Sequence, residues 1–68
     1  MEQIKLSVWD STGNVGFDAF LEDGKIYFAI LSRGWTKDSL TCVLKELLRR
    51  NGIKATKKEV AQMFKLSP

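Results

Sequence analysis

The sequence predicts an α+β fold: a three-stranded antiparallel meander, in the order 1-2-3, followed by two helices packed on one face of the sheet. Three observations predict this fold. Apolar and polar residues alternate with period two in segments that end at Leu31. An Asp-Gly pair separates two of these segments, and after Trp35 apolar residues recur at helical spacing. We expect the 68 residues to form a single domain with one core.

The first two strands, residues 3–9 and 15–22, are predicted from their alternation of apolar and polar side chains. A four-residue loop at 10–13 would place apolar side chains opposite each other and set Lys5 opposite Asp18. The apolar pairs predicted by this register are Val8 with Val15, Leu6 with Phe17 and Ile4 with Ala19.

The third strand is predicted over residues 25–31, directly after the hairpin turn Asp23-Gly24. A two-residue turn fixes the register of the second and third strands. It pairs Glu22 with Lys25, Leu21 with Ile26, Phe20 with Tyr27, Ala19 with Phe28 and Phe17 with Ile30.

The first helix is predicted over residues 37–50, with Thr36 or Asp38 as N-cap and Asn51-Gly52 as its end. Its predicted buried stripe consists of Leu40, Val43, Leu44, Leu47 and Leu48.

The second helix is predicted over residues 57–66, because Thr56 and Glu59 have the spacing of a capping box. Its buried side is Val60, Met63 and Phe64. The predicted core combines these buried helical residues with Ile53, Leu66 and the apolar residues on one face of the sheet, which are Ile4, Leu6, Val8, Val15, Phe17, Ala19, Leu21, Ile26, Phe28 and Ile30.

Composition excludes several functional classes. The chain has no histidine and one cysteine, Cys42, so Ser-His and Cys-His catalytic arrangements and the usual zinc sites cannot form. No glycine-rich phosphate loop is present. We therefore expect a protein that is not an enzyme, with no catalytic residue, metal site or cofactor. The N-terminus lacks the pattern of a secretory signal, and we expect a cytoplasmic protein with no membrane association.

The net charge of +3 is distributed unevenly, with −2 up to Trp35 and +5 after it. A basic surface of this kind is typical of contact with nucleic acid, although it can also simply be solvated. The candidate nucleic-acid-binding residues are Lys45, Arg49, Arg50, Lys54, Lys57, Lys58 and Lys65. The start of the second helix, near Thr56, is a candidate phosphate position.

A second candidate surface is the face of the predicted sheet that carries Phe20 and Tyr27, which we call the aromatic face. Two helices can cover only one side of the sheet, so this face is expected to be exposed and to suit a protein partner or self-association. These rings could instead shield the sheet. The candidate partner-binding residues are Trp9, Phe20, Tyr27, Leu31 and Trp35.

Residues 56–68 resemble the first helix and turn of a helix-turn-helix motif. Ala61 stands at the position where that family has a small residue, and Leu66, Ser67 and Pro68 resemble its turn. The sequence given ends where the family's recognition helix would begin. The resemblance therefore implies no base-reading residue in this sequence.

The sequence thus favours a small non-catalytic protein that contacts nucleic acid through its basic helical side, mainly by phosphate charge. The alternative is a protein-interaction module, such as a small inhibitor, a regulatory subunit or a homodimer, that uses the aromatic face. A protein that uses both surfaces at once is also compatible with the charge distribution.

Overall fold

The computed structural model describes residues 2–66 of the chain. Three antiparallel strands are followed by two helices, which confirms the predicted fold class. The chain divides into two compact units, a strand unit that ends at Gly34 and a helical unit that begins at Trp35. That these units belong to a single domain stays a prediction.

The strand unit contains β1 (Ile4–Trp9), β2 (Gly16–Glu22) and β3 (Lys25–Leu31), in the order β1-β2-β3. The meander and the bounds of β3 agree with the prediction. The first two strands each begin one residue later than predicted.

The predicted register of β1 and β2 is wrong by two residues. Lys5 lies opposite Phe20, and Asp18 lies opposite Ser7. The reason is the connecting loop, in which the Asp10 carboxylate accepts hydrogen bonds from the amides of Asn14 and Val15 and so lengthens the turn. Because the shift is an even number of residues, each side chain remains on its predicted face. The apolar pairs are now Ile4 with Leu21, Leu6 with Ala19 and Val8 with Phe17.

The register of β2 and β3 is correct from the turn as far as Ala19 and Phe28, and wrong beyond that pair. A bulge leaves Ala29 as an extra residue on β3, so Ile30 lies opposite Asp18 and Leu31 opposite Phe17. Ile30 therefore moves to the aromatic face, whereas Leu31 shares the face of Phe17.

Gly16 begins β2 at a point where two strands approach closely. A Cβ built at this position would lie 2.1 Å from the Val8 carbonyl oxygen and 2.7 Å from the Trp9 Cα. The Gly16 amide also donates to the Ser32 hydroxyl at 2.9 Å. Glycine is therefore required here because no side-chain atom fits.

One face of the sheet supplies the buried residues of the strand unit, and the rings of Phe17 and Phe28 meet there edge to face with centroids 5.6 Å apart. The buried apolar members of this face are Leu6, Phe17, Ala19 and Ile26. The predicted core positions Val15 and Ile30 are wrong, since both are about half exposed. Val15 lies in the loop, and Ile30 follows the bulge.

In the helical unit, α1 spans Lys37–Arg50 as predicted and Thr36 is its N-cap. The helix ends in a Schellman motif: the amides of Gly52 and Ile53 donate to the carbonyls of Arg49 and Leu48. Gly52 has φ of 79°, the left-handed conformation that this motif requires.

The second helix, α2, spans Lys57–Met63 and ends three residues before the predicted position. Phe64 is extended, with φ of −138° and ψ of 160°, yet its side chain is buried. Burial of the Phe64 ring stabilises the protein more than one further turn of helix would. Adding a turn to a short helix contributes little free energy. Lys65 and Leu66 follow outside the helix, and Leu66 is exposed, contrary to its predicted core position. Ser67 and Pro68, part of the predicted turn, lie outside the described residues.

The helical unit buries one side of each helix. Its buried apolar residues are Leu40, Leu44, Leu48, Val60 and Phe64. Thr41 is also buried, and its hydroxyl donates to the Lys37 carbonyl at 2.7 Å. The burial of Thr41 was not predicted, because the predicted stripe of α1 contains only apolar side chains. Within residues 2–66, neither helix has the length and apolarity needed to span a bilayer.

Candidate functional site

The basic groove of the helical unit consists of two adjoining hollows, of about 410 and 430 Å³, beside α1 and the segment that joins it to α2. The first hollow is lined by Cys42, Lys45, Glu46, Arg49, Ile53, Lys54 and Ala55. The second is lined by Lys45, Lys54, Ala55, Thr56, Lys57 and Glu59. The groove therefore has four cations around a small apolar floor.

Lys45 and Lys54 line both hollows, so they lie at the centre of the basic groove. Lys45 projects from α1, and Lys54 is placed by the Schellman turn that ends this helix. Neither lysine makes an ion pair with any other residue in the described part of the chain. Their ammonium groups are therefore available to an anionic ligand.

The two arginines at the end of α1 are already paired. Arg49 binds Glu46 through two hydrogen bonds, Nε to Oε1 at 2.9 Å and an Nη nitrogen to Oε2 at 2.6 Å. Arg50 donates to the same Oε2 at 3.2 Å. The Arg49 hydrogen bond, assisted by Arg50, lowers the pKa of Glu46 to about 2. The carboxylate therefore stays ionised at neutral pH and offsets the charge of its two partners.

Lys57, at the first position of α2, forms an ion pair with Asp38 in the first turn of α1, with Nζ 3.2 Å from Oδ1. Asp38 raises the pKa of Lys57, and Cys42 adds a smaller contribution. Both side chains of the pair are largely exposed. Lys57 thus lines the groove with its charge partly neutralised.

The start of α2 is less open to phosphate than its sequence suggests. The capping box forms as predicted, with the Glu59 amide donating to the Thr56 hydroxyl at 3.1 Å and the Thr56 amide donating to Glu59 Oε1 at 2.9 Å. The hydrogen bond from the Thr56 amide, with a smaller contribution from the Thr56 side chain, lowers the pKa of Glu59. A carboxylate therefore already stands where the candidate phosphate position was predicted.

The structure brings together only part of the predicted basic surface. Lys45, Arg49, Lys54 and Lys57 line the groove, whereas Arg50, Lys58 and Lys65 are exposed but line neither hollow. Lys65 also lies beyond the end of α2, so the helical position predicted for it is wrong.

Sequence reasoning missed the remaining lining residues, although α1 carries a signal for them. Cys42, Lys45, Glu46 and Arg49 follow one another at intervals of three, one and three residues, which places them on one helical face beside the buried stripe. That second periodic face is the sequence signal for the wall of the groove. The floor, Ile53 and Ala55, depends on the turn after α1 and has no periodic signal.

The aromatic face of the strand unit does not contain all the residues that were predicted for it. Phe20 and Tyr27 form the predicted cross-strand pair, and Tyr27 and Ile30 are 56% and 53% exposed. Leu31 lies on the opposite face because of the bulge, so its assignment to this face is wrong. Trp35 belongs to the helical unit.

Asp18 organises one end of the aromatic face. Its Oδ1 accepts hydrogen bonds from the Ser7 hydroxyl and from Trp9 Nε1, the latter at 2.9 Å. The Ser7 and Trp9 hydrogen bonds lower the pKa of Asp18. Trp9 is thereby tied to the strand unit, although about a third of its surface is exposed.

Residues 2–66 contain no cluster of three acidic, cysteine or histidine side chains that could hold a metal ion. Comparisons with known protein families, with curated proteins and with solved structures find no match to this chain.

Proposed function

We propose that this protein is a small non-catalytic nucleic-acid-binding protein whose basic groove contacts the phosphate backbone. The observation that supports this proposal most is the position of Lys45 and Lys54, which line both hollows and make no ion pair within residues 2–66. The helical unit also carries the +5 share of the charge. Clustered lysines of this kind bind phosphates as point charges.

The lining of the groove favours recognition of charge over recognition of bases. None of the described residues that line either hollow is aromatic, so unpaired bases have no ring on which to stack. The cations are lysines and an engaged arginine, which suit phosphate contacts. We therefore expect similar affinity for duplexes of different sequence and no preference for single strands.

The experiment is a fluorescence-anisotropy titration of labelled DNA and RNA duplexes, and of single strands, at ~50 and ~200 mM salt. Replacing both central lysines, Lys45→Gln and Lys54→Gln, should weaken binding and reduce the slope of log affinity against log salt by about 1.8, or ~0.9 for each lost phosphate contact. Circular dichroism should show unchanged helix content, because both side chains are exposed.

The matched control is Lys5→Gln with Lys25→Gln, which removes two exposed lysines from the strand unit and gives the same net charge. This control should keep most of the wild-type affinity. Equal losses in the two double variants would contradict the groove as the binding site. Absence of binding by the wild type at the lower salt would contradict the function.

A second candidate function is self-association or binding of a protein partner through the aromatic face. The exposure of Tyr27 and Ile30 on one face favours it, because exposed apolar side chains in a cluster are typical of interfaces. Sedimentation velocity over a range of concentrations tests self-association. A dimer that is lost on Tyr27→Ser would support it, and a wild type that stays monomeric throughout would contradict it.

A further inference from the structure

Three of the seven predicted nucleic-acid-binding cations are held by carboxylates of α1. Glu46 binds Arg49 and Arg50 at 2.6 and 3.2 Å, and Asp38 binds Lys57 at 3.2 Å. The other four, Lys45, Lys54, Lys58 and Lys65, have no such partner among residues 2–66. The basic groove therefore contains cations in two states, available and occupied.

The geometry of the Glu46 pair is the geometry that a phosphate would use. Arg49 presents two parallel N–H donors to the two carboxylate oxygens, and the same guanidinium edge binds two oxygens of a phosphate. A phosphate cannot take this edge while Glu46 holds it. The carboxylate thus competes for the same donors and does more than lower the local charge.

The pairs are exposed, which makes exchange of partners feasible. The side chains of Arg49 and Glu46 are 65% and 43% exposed, and those of Lys57 and Asp38 are 54% and 79% exposed. Surface ion pairs of this kind are held weakly and are screened by salt. A polyanion that presents several phosphates at once can therefore displace the carboxylates.

We infer that Glu46 and Asp38 are internal competitors that limit the affinity of the helical unit for polyanions. They occupy Arg49 and Lys57, which line the basic groove, and Arg50, which binds the same Glu46. This inference rests on the proposed function. In the free protein Lys45 and Lys54 attract the phosphate backbone, and the arginines engage it only after Glu46 is displaced. Removal of the competing carboxylate should then strengthen binding, in proportion to the cations that it releases.

The test compares Glu46→Gln with Glu22→Gln in the titration of a 20-base-pair DNA duplex between ~50 and ~200 mM salt. Both substitutions remove one negative charge, but Glu22 lies in the strand unit and makes no ion pair with a described residue. We expect Glu46→Gln to bind at least about threefold more tightly than Glu22→Gln, with a salt slope steeper by up to ~1.8 because two arginines become available.

A chain that lacks both arginines shows whether the gain in affinity depends on them. In a chain with Arg49→Gln and Arg50→Gln, the added Glu46→Gln should improve binding only as much as Glu22→Gln does. A full gain in that background would contradict direct competition. Asp38→Asn should act as Glu46→Gln does, with a smaller change in slope, because it releases one cation.

The outcomes separate this inference from the proposed function. If the wild type binds and the Lys45 and Lys54 variants weaken it, but Glu46→Gln equals Glu22→Gln, the inference is overturned and the function stands. If neither the wild type nor Glu46→Gln binds the duplex, both are overturned. Circular dichroism of each variant at 222 nm checks that the helices are retained.

Discussion

In the strand unit the carboxylates of Asp10 and Asp18 accept hydrogen bonds from neutral groups, whereas in the helical unit Glu46 is bound by two guanidinium groups. All three carboxyl groups have lowered pKa values, but for different reasons. The hydrogen bonds that Asp10 accepts from neutral amides fix the shape of its loop, and salt screens them little. Ion pairs determine how much positive charge the surface offers, and salt or a polyanion can loosen them. Carboxylates thus fix local structure in the strand unit and adjust the surface charge in the helical unit.

The largest expected effect is that of Gly16→Ala, which tests how far the strand unit depends on close backbone approach. The new methyl group would overlap the Val8 carbonyl oxygen, so β1 or β2 must move. We expect a loss of about 3 kcal/mol in the free energy of unfolding, at the upper end for overpacking. Urea denaturation followed by Trp9 fluorescence in a Trp35→Phe background measures it.

Gly13→Ala is the matched control for Gly16→Ala. A Cβ at Gly13 meets no atom within 4 Å, but its φ of 76° is left-handed, so the expected loss is only about 1 kcal/mol. Equal losses at the two glycines would contradict the steric explanation. If circular dichroism at 222 nm and Trp9 fluorescence report one coincident transition for Gly16→Ala, the two units unfold together as the predicted single domain.

A smaller effect is expected for Thr56→Ala in the helical unit. This substitution removes the hydroxyl that accepts from the Glu59 amide, and loss of an N-cap costs about 1 kcal/mol. Thr56→Ser keeps the hydroxyl and should retain most of the stability. The helix signal and the urea midpoint measure both variants, and an alanine variant as stable as the serine variant would show that the capping box contributes nothing.

The pH dependence of stability distinguishes the loop carboxylate from its amide analogue. Hydrogen bonds from Val15 and Thr12 lower the pKa of Asp10 below its ordinary value of 3.8. The unfolded chain therefore binds the proton more readily, so this contribution is fully present above about pH 4 and is lost as the pH falls through the folded-state pKa. The difference in Tm between the wild type and Asp10→Asn should shrink as the pH falls from ~5 to ~2. A constant difference would contradict the role of the ionised form.

The smallest expected effect is on the stability of Glu46→Gln. Exposed ion pairs contribute little to folding, so its urea midpoint should lie close to that of the wild type at low and high salt. A clear loss of stability at low salt alone would show that the network holds α1 together and would weaken its interpretation as a competitor for ligands.

The parts of the fold that depend on local signals were predictable. Both ends of α1 follow from Thr36 and Asn51-Gly52, whose hydrogen bonds lie within a few residues of the helix. The turn at Asp23-Gly24 likewise fixed the register as far as Phe28. Caps and tight turns can be read from a sequence because their partners are close along the chain.

The wrong predictions lie where a side-chain hydrogen bond, a bulge or a buried ring changes the number of residues in a loop, a strand or a helix. Asp10 lengthened a loop by binding its own backbone, and an extra residue at Ala29 reversed the face of Ile30. Burial of Phe64 in an extended conformation ended α2 early. In the basic groove, the lysines were predictable from composition, but the two-donor contact of Arg49 with Glu46 and the ion pair of Lys57 with Asp38 appeared only with the geometry.

The bulge at Ala29 also bears on how the sheet meets other chains. β3 is an outer strand of the meander, and an outer strand with a regular row of free amides and carbonyls is a template for intermolecular sheet growth. The extra residue breaks that row between Phe28 and Ile30, where the strand is rich in apolar side chains. A one-residue irregularity can thus oppose amyloid-like stacking along β3, while it leaves Ile30 about half exposed.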